Sequence, residues 1–198
     1  MARKPAAGGT LIAVEGTRSA DVGDGADRLW RQLQKKAKGG VSRWDASGAF
    51  TDLWTGKTRV TGLSPRTLAL LYASDLAFRL RWQIRPGLEQ GQTIIAAPYL
   101  EGLMAFGSAA SLPRTWLTEV LRFAPRPAVI YRVKERKKSS GWKGGPLDGF
   151  PEFCSAALAA DSQGDAALFR KKMIAYLEAL ESRHKCRRLR KKTLASRR

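Results

Sequence analysis

Thr10-Leu-Ile-Ala-Val14 is a short apolar run rich in branched side chains, and it predicts a central strand buried on both faces that ends at Glu15-Gly16. From Asp24 the pattern turns helical: Ala26, Leu29, Trp30, Leu33 and Ala37 share one face, while Arg28, Arg31, Lys35, Lys36 and Lys38 lie mostly on the other. Gly39-Gly40 stops it, and a second strand is expected around Val41 to Trp44. The stretch DASGAFTDLWTGKTRVTG, with its glycines and aspartates, reads as an irregular loop. Ser64-Pro65 then supplies an N-cap followed by proline at the first helical position. It opens a long helix carrying Leu68, Leu71, Tyr72, Asp75, Leu76, Arg79 and Leu80, which ends near Pro86 or Gly91. Gln92 to Ala97 predicts a third strand, and helices follow over Leu100 to Ala109 and Pro113 to Phe123. Pro125 and Pro127 break the chain before a fourth strand at Ala128 to Val133. A basic loop, RVKERKKSSGWKGGPLDG, leads to helices near Pro151 to Ala160 and Asp165 to Arg183.

Strands alternating with helices predict an α/β fold with a mostly parallel sheet and helices on both faces. Ligands in such folds bind beyond the carboxyl ends of the strands. The junctions after Val14, Trp44, Ala97 and Val133 are therefore expected to converge on one cleft.

Composition narrows the function. The 198 residues (21.8 kDa) suffice for one domain with its own core, and 43% hydrophobic residues with six tryptophans exclude a disordered chain. Two cysteines, Cys154 and Cys186, cannot build a disulfide framework, and no apolar run reaches the roughly 18 residues of a membrane span. The start, MARKPAAGG, has no apolar segment behind its cations, so a cytoplasmic protein with no membrane partner is expected. Thirty-six Lys and Arg against 17 Asp and Glu give a net charge of +19, which points to a polyanion, a nucleotide or nucleic acid, as partner. Nine of the cations and no acid lie between Arg183 and Arg198. Composition leaves this tail, including Arg187, Arg188, Arg190, Lys191 and Lys192, open between a solubilising end and a phosphate-tracking arm.

Four segments in order, IAVEG, LSPRTLALLYASD, IRPGLEQGQTIIAAPY and FAPRPAVIYRV, resemble successive signatures of the thymidylate kinase family. The resemblance runs from about Gly9 to Val133 and continues more thinly to about residue 183. It implies a three-layer P-loop NTPase-like fold and phosphoryl transfer from ATP to dTMP with magnesium. It also divides the chain into an N-terminal extension (1–8), a kinase-like domain (9–182, with a lid about 134–149) and a basic tail (183–198).

Three departures fall where the resembled chemistry would sit. The family's phosphate-binding loop corresponds to Gly16, Thr17, Arg18, Ser19, Ala20, Asp21, Val22 and Gly23, with Asp21 on the second glycine, Val22 on the lysine and Gly23 on the hydroxyl residue. Asp21, Asp24 and Asp27 add negative charge at a helix start that would otherwise attract phosphate. The family's Asp-Arg-Tyr triplet has become Ala97-Pro98-Tyr99, and Leu76 stands in place of a phosphate-clamping arginine. By the same resemblance Arg43, Tyr72 and Tyr99 fall on the acceptor side, with Tyr72 open between base stacking and core. Arg132, Lys134, Arg136, Lys137, Lys138 and Lys143 occupy the lid region.

Outside that apparatus, Glu15 and Glu101 follow strand ends and form a candidate carboxylate pair, the alternative being that Glu101 caps a helix. His184 beside Cys186 does not make a metal site. The leading expectation is a catalytically degenerate kinase fold that binds a phosphate-rich ligand through lid and tail. Two alternatives stand beside it: an active dTMP kinase using Mg and ATP with Arg18, Arg43 or a lid lysine replacing the lost one, and a homodimeric or other protein-interaction subunit using Phe78, Trp82 and Trp116.

Overall fold

The structure, a computed structural model, describes residues 8–56, 63–134, 145–159 and 166–195, with side chains beyond 183 and at 158–159 and 166–167 outside the description. Its elements in order are β1 (Thr10–Glu15), α1 (Ser19–Leu33), β2 (Gly39–Arg43), α2 (Ala49–Thr55), α3 (Pro65–Arg79), α4 (Arg85–Glu89), β3 (Thr93–Ala97), α5 (Glu101–Ala109), α6 (Arg114–Val120), β4 (Val129–Arg132), α7 (Phe150–Ala159) and α8 (Ala166–Ala195). The four strands form one parallel sheet in the order β2-β3-β1-β4, with Ile12 opposite Ile95 on one side and Val129 on the other. The expected α/β architecture is therefore present. The chain leaves β1 toward β2 on one side and reaches β4 on the other, a reversal that opens a crevice at the strands' carboxyl ends.

Alternation along the strands divides the core in two. Ile12, Val14, Ile95 and Ala97 pack with Val22 and Ala26 of α1 on one face. Leu11, Ala13, Ile94 and Ala96 pack on the other against α3, α5, α7 and α8. The long helix begins as its sequence predicts, with Ser64 Oγ accepting from the Thr67 amide and proline in the first turn. Leu68, Tyr72, Leu76, Leu80 and Ile84 recur every fourth residue and are all buried. On an ideal α-helix that spacing drifts by about 40° per step. A π-helical turn over Leu80–Ile84 underwinds the helix and returns Ile84 to the core face before Pro86, which has no amide hydrogen to donate.

Three elements differ from the sequence reading. Helix α1 begins at Ser19, five residues before the periodic pattern starts at Asp24. The supposed irregular loop after Trp44 contains α2, entered through Gly48 in the left-handed conformation (φ 76°). Asp45 caps it, accepting from the Phe50 and Thr51 amides at 2.9 Å each, and Phe50 packs 4.9 Å from both Trp44 and Phe153. Helix α8 runs 30 residues, so the helical backbone expected to stop at Arg183 continues through most of the basic tail. No helix among the described residues is long and apolar enough to cross a membrane.

Candidate functional site

A cleft of about 300 Å³ lies at the carboxyl ends of β1 and β4. Glu15, Gly16 and Thr17 line one wall, Arg132, Val133 and Lys134 another. Glu101 and the α8 residues Leu177, Glu178 and Glu181 complete it. Three of the four strand-end junctions thus contribute. The β2 end lies at the far edge of the sheet and does not line this cleft.

Glu15 organises the floor. Its Oε1 accepts from the backbone amides of Tyr99 (3.2 Å), Leu100 (2.7 Å) and Glu101 (2.9 Å), so it caps α5 from another strand. The sequence reading gave that cap to Glu101. Glu101 instead binds Arg132, whose Nε donates to Oε2 at 2.9 Å while Nη2 pairs with Oε1. Burial raises the Glu15 carboxyl to about 7, aided by the charge of Glu101 and opposed by the three amides.

The corner between β1 and α1 is built from core and an internal carboxylate. Because α1 starts at Ser19, only Gly16, Thr17 and Arg18 remain as loop, and the amides of Ser19 to Asp21 belong to a helical first turn. The turn is closed by Glu152 of α7: its Oε1 accepts from the Ser19 amide at 3.2 Å, and its Oε2 accepts from Ser19 Oγ. A Cβ on Gly149 would collide with Ser19 Oγ, so glycine there lets α7 approach. Val22, at the position corresponding to the kinase lysine, is 3% exposed and packs with Ile12, Val14 and Ala26. Gly23 lies inside α1 with Arg43 Nη1 nearby, and Arg18 Nε is 3.8 Å from Asp21 Oδ2. Remote Glu152, which carried no sequence signal, supplies the negative charge on the Ser19 amide, where the sequence reading had placed charge from the helix's own aspartates.

The acceptor-side candidates are spread out. Tyr72 is buried, donates from its hydroxyl to the Tyr99 carbonyl at 2.6 Å, and has its ring 4.5 Å from Phe150. Phe150 thus covers a ring that sequence left open for base stacking. Tyr99 is buried as well and donates to the Pro125 carbonyl at 2.7 Å. Burial raises both phenols. Arg43 turns outward and pairs with Asp27 on α1. Leu76 is core. Arg79, one turn further along, is fully buried: Nε donates to Ser42 Oγ (3.0 Å) and Nη2 to the Ser42 and Pro98 carbonyls (2.9 Å each). It ties α3 to the ends of β2 and β3, which hydropathy patterning alone did not signal.

Lid residues Arg136, Lys137, Lys138 and Lys143 lie outside the described residues, as do the side chains of His184, Cys186, Arg187, Arg188, Arg190, Lys191 and Lys192. Cys154 is buried in the core, which raises its thiol. Among the described residues no three His, Cys, Asp or Glu side chains are grouped to hold a metal ion.

No family model matches the chain. It is 26% identical over 132 residues to a probable thymidylate kinase of Thermococcus gammatolerans, covering 62% of this chain and 64% of that protein. It is 33% identical over 129 residues to a thymidylate kinase of Xanthomonas oryzae pv. oryzae, covering 62% and 55%. The matched stretches span less than two thirds of both relatives. Among solved structures, thymidylate kinase from Ehrlichia chaffeensis superposes with a TM-score of 0.52 at 14% identity, over 64% of this chain and 72% of that one. Relatives and fold together support the thymidylate kinase, P-loop kinase family at modest identity.

Proposed function

We propose that this thymidylate-kinase-like chain has lost phosphoryl transfer and works as a binding protein, holding a nucleotide-rich polyanion on its basic lid and tail. The observation that carries the reading is the β1–α1 corner, where Glu152 occupies the Ser19 amide and Val22 is part of the core. Kinase loops of this type stabilise transferring phosphate with backbone amides, a lysine and a metal-holding hydroxyl. Here a carboxylate repels phosphate from that place, and the side chain at the lysine position, Val22, is apolar and packed in the core. Single losses of such electrostatic stabilisers typically cost about 100-fold or more in rate. Several are missing together, since Ala97-Pro98 replaces the charged pair at the end of β3.

The distribution of charge supports the tail as the polyanion's place. Among the described residues the cleft is lined by more carboxylates than cations, whereas nine cations without an acid lie between Arg183 and Arg198 in the sequence. The backbone is helical as far as Ala195, which gives that segment a rise of about 1.5 Å per residue and suits a phosphate-tracking element.

Calorimetric titration of the full chain with Mg-ATP and with dTMP at physiological salt tests the first half. Neither is expected to bind, and transfer of phosphate from ATP to dTMP above a no-protein control would overturn the reading. Titration with a single-stranded oligonucleotide tests the second. Affinity is expected to fall linearly on a logarithmic salt axis, with a shallower slope after Arg187, Arg188 and Arg190 are changed to Gln. A salt-independent affinity rejects it.

A further inference from the structure

The π-helical turn between α3 and α4 shapes a surface on the body of the protein. Leu80 and Ile84 at its two ends are buried, and the three side chains between them, Arg81, Trp82 and Gln83, all face outward. Turns of this kind are rare in helices and are frequent at functional sites. This one is anchored to β2, where Ser42 Oγ donates to Gln83 Oε1 at 2.7 Å. Trp82 is 62% exposed, more than any other large hydrophobic side chain among the described residues. The Arg81 guanidinium lies 5.2 Å from its ring centroid.

The surface continues across α4. Arg85, three residues after Trp82 and exposed, donates from Nη2 to the Phe123 carbonyl at 3.3 Å, which joins this turn to the segment after α6. A cavity of about 290 Å³ opens there, lined by Arg85, Arg122 and Phe123 with Leu88 and Glu89. Phe123 is itself 37% exposed. Arg122 meets Glu119 only at 3.5 Å, in a pair open to water and screened by it. Two open rings thus share one surface with three arginines, accompanied by two acids, Glu89 and Glu119.

That combination selects its ligand. A small anion needs no ring, and an apolar protein face would bury the guanidinium groups without a partner. A second copy of this chain, meeting the same patch, would set these arginines against themselves. A single strand of nucleic acid supplies both complements, base planes for the rings and phosphates for the guanidinium groups. We propose that Trp82 and Phe123 form a stacking platform for single-stranded nucleic acid, with Arg81, Arg85 and Arg122 on its phosphates. The platform rests on the reading of this chain as a polyanion binder and deepens it: the tail supplies charge, and the platform distinguishes bases from bare phosphate.

Fluorescence anisotropy of labelled oligothymidylate on the full chain, with inorganic polyphosphate as a base-free competitor, tests this. Trp82→Ala is expected to weaken oligothymidylate by about 10-fold, the value of one stacked base, and to leave polyphosphate unchanged. Arg85→Gln should weaken both ligands and make the salt dependence shallower. Trp82 is exposed, so its replacement should keep the urea midpoint, and Trp82→Phe, which retains a ring, should restore most of the affinity. Oligothymidylate bound equally well by Trp82→Ala overturns the platform and leaves the tail reading standing. No oligothymidylate binding at all overturns both. Equal loss of polyphosphate in Trp82→Ala rejects stacking, and a dimer that this variant splits into monomers in sedimentation gives the surface to a second copy instead.

Discussion

The corners at the ends of β1 and β2 face the same problem, backbone amides left open where a strand ends and a helix begins, and they solve it over different distances. At β2 one carboxylate is local and the other comes from α3, 28 to 30 positions along the chain. Asp45 caps α2 five and six residues on, and Asp75 accepts from the Asp45 and Ser47 amides (3.1 and 3.0 Å) and from Ser47 Oγ (2.9 Å). At β1 they are remote. Glu152 reaches Ser19 across 133 positions, and Glu15 reaches the start of α5 across 84 to 86. A local cap satisfies a helix and does little else. A remote cap also welds distant elements together, here α7 to the first turn of α1.

The sharpest way to break that contrast is to restore a cation at the β1 corner. Val22→Lys buries an ammonium among Ile12, Val14 and Ala26, and is expected to destabilise by about 4 kcal/mol or more without creating ATP affinity. A lysine variant that keeps its urea midpoint and binds Mg-ATP would show the corner to be more adaptable than its packing indicates.

Next in size is the pH dependence contributed by Glu15. Its folded carboxyl titrates near 7, above the ordinary 4.5, so the folded state holds the proton more tightly. That contribution is complete below pH 4.5 and is lost as pH rises to about 7, a swing of about 3 kcal/mol. Glu152, also raised by burial, acts in the same direction. Urea midpoints measured between pH 4.5 and 7.5 should decline less in Glu15→Gln than in the parent. A parent whose midpoint rises across that window contradicts the assignment.

Asp75→Ala probes the β2 corner, where α3 meets the end of the strand. It removes the acceptor of three hydrogen bonds on a buried residue and is expected to cost about 2 kcal/mol. Faster hydrogen exchange should be confined to Asp45 and Ser47, with α1 unaffected. The smallest effect belongs to Glu152→Ala, about 1 kcal/mol by the usual value of a helix cap. Here exchange should quicken in the first turn of α1 and at the start of α7 together. Gly149→Ala disturbs the same contact, so the double variant should cost less than the two singles added.

Elements driven by their own periodicity were legible from sequence. β1, α3 and β3 lie where apolar runs, the Ser64-Pro65 start and the glycine before Gln92 put them. α2 was missed because seven residues between glycines carry little helical signal. The Phe50, Leu53 and Trp54 spacing was its trace, and the aromatic cluster with Phe150 and Phe153 is what secures it. The early start of α1 had no trace, since its cap comes from α7. Among the site residues, the departures at Val22 and Ala97-Pro98 were read from residue identity against the resembled signatures. Tyr72 could not be assigned, because core and stacking roles place the same ring at the same helical position.

Sequence by itself determined the α/β class, the order of most elements and the excess of positive charge, and it showed departures from the resembled kinase signatures at Val22, Leu76 and Ala97-Pro98, since these depend on residue identity and short-range periodicity. Tertiary structure decided the contacts: Glu152 on Ser19, Glu15 at the start of α5, Phe150 over Tyr72, and Arg132 on Glu101 at the cleft. Each of these joins residues far apart in the chain, and a carboxylate's partner and ionisation are set by what folding brings beside it.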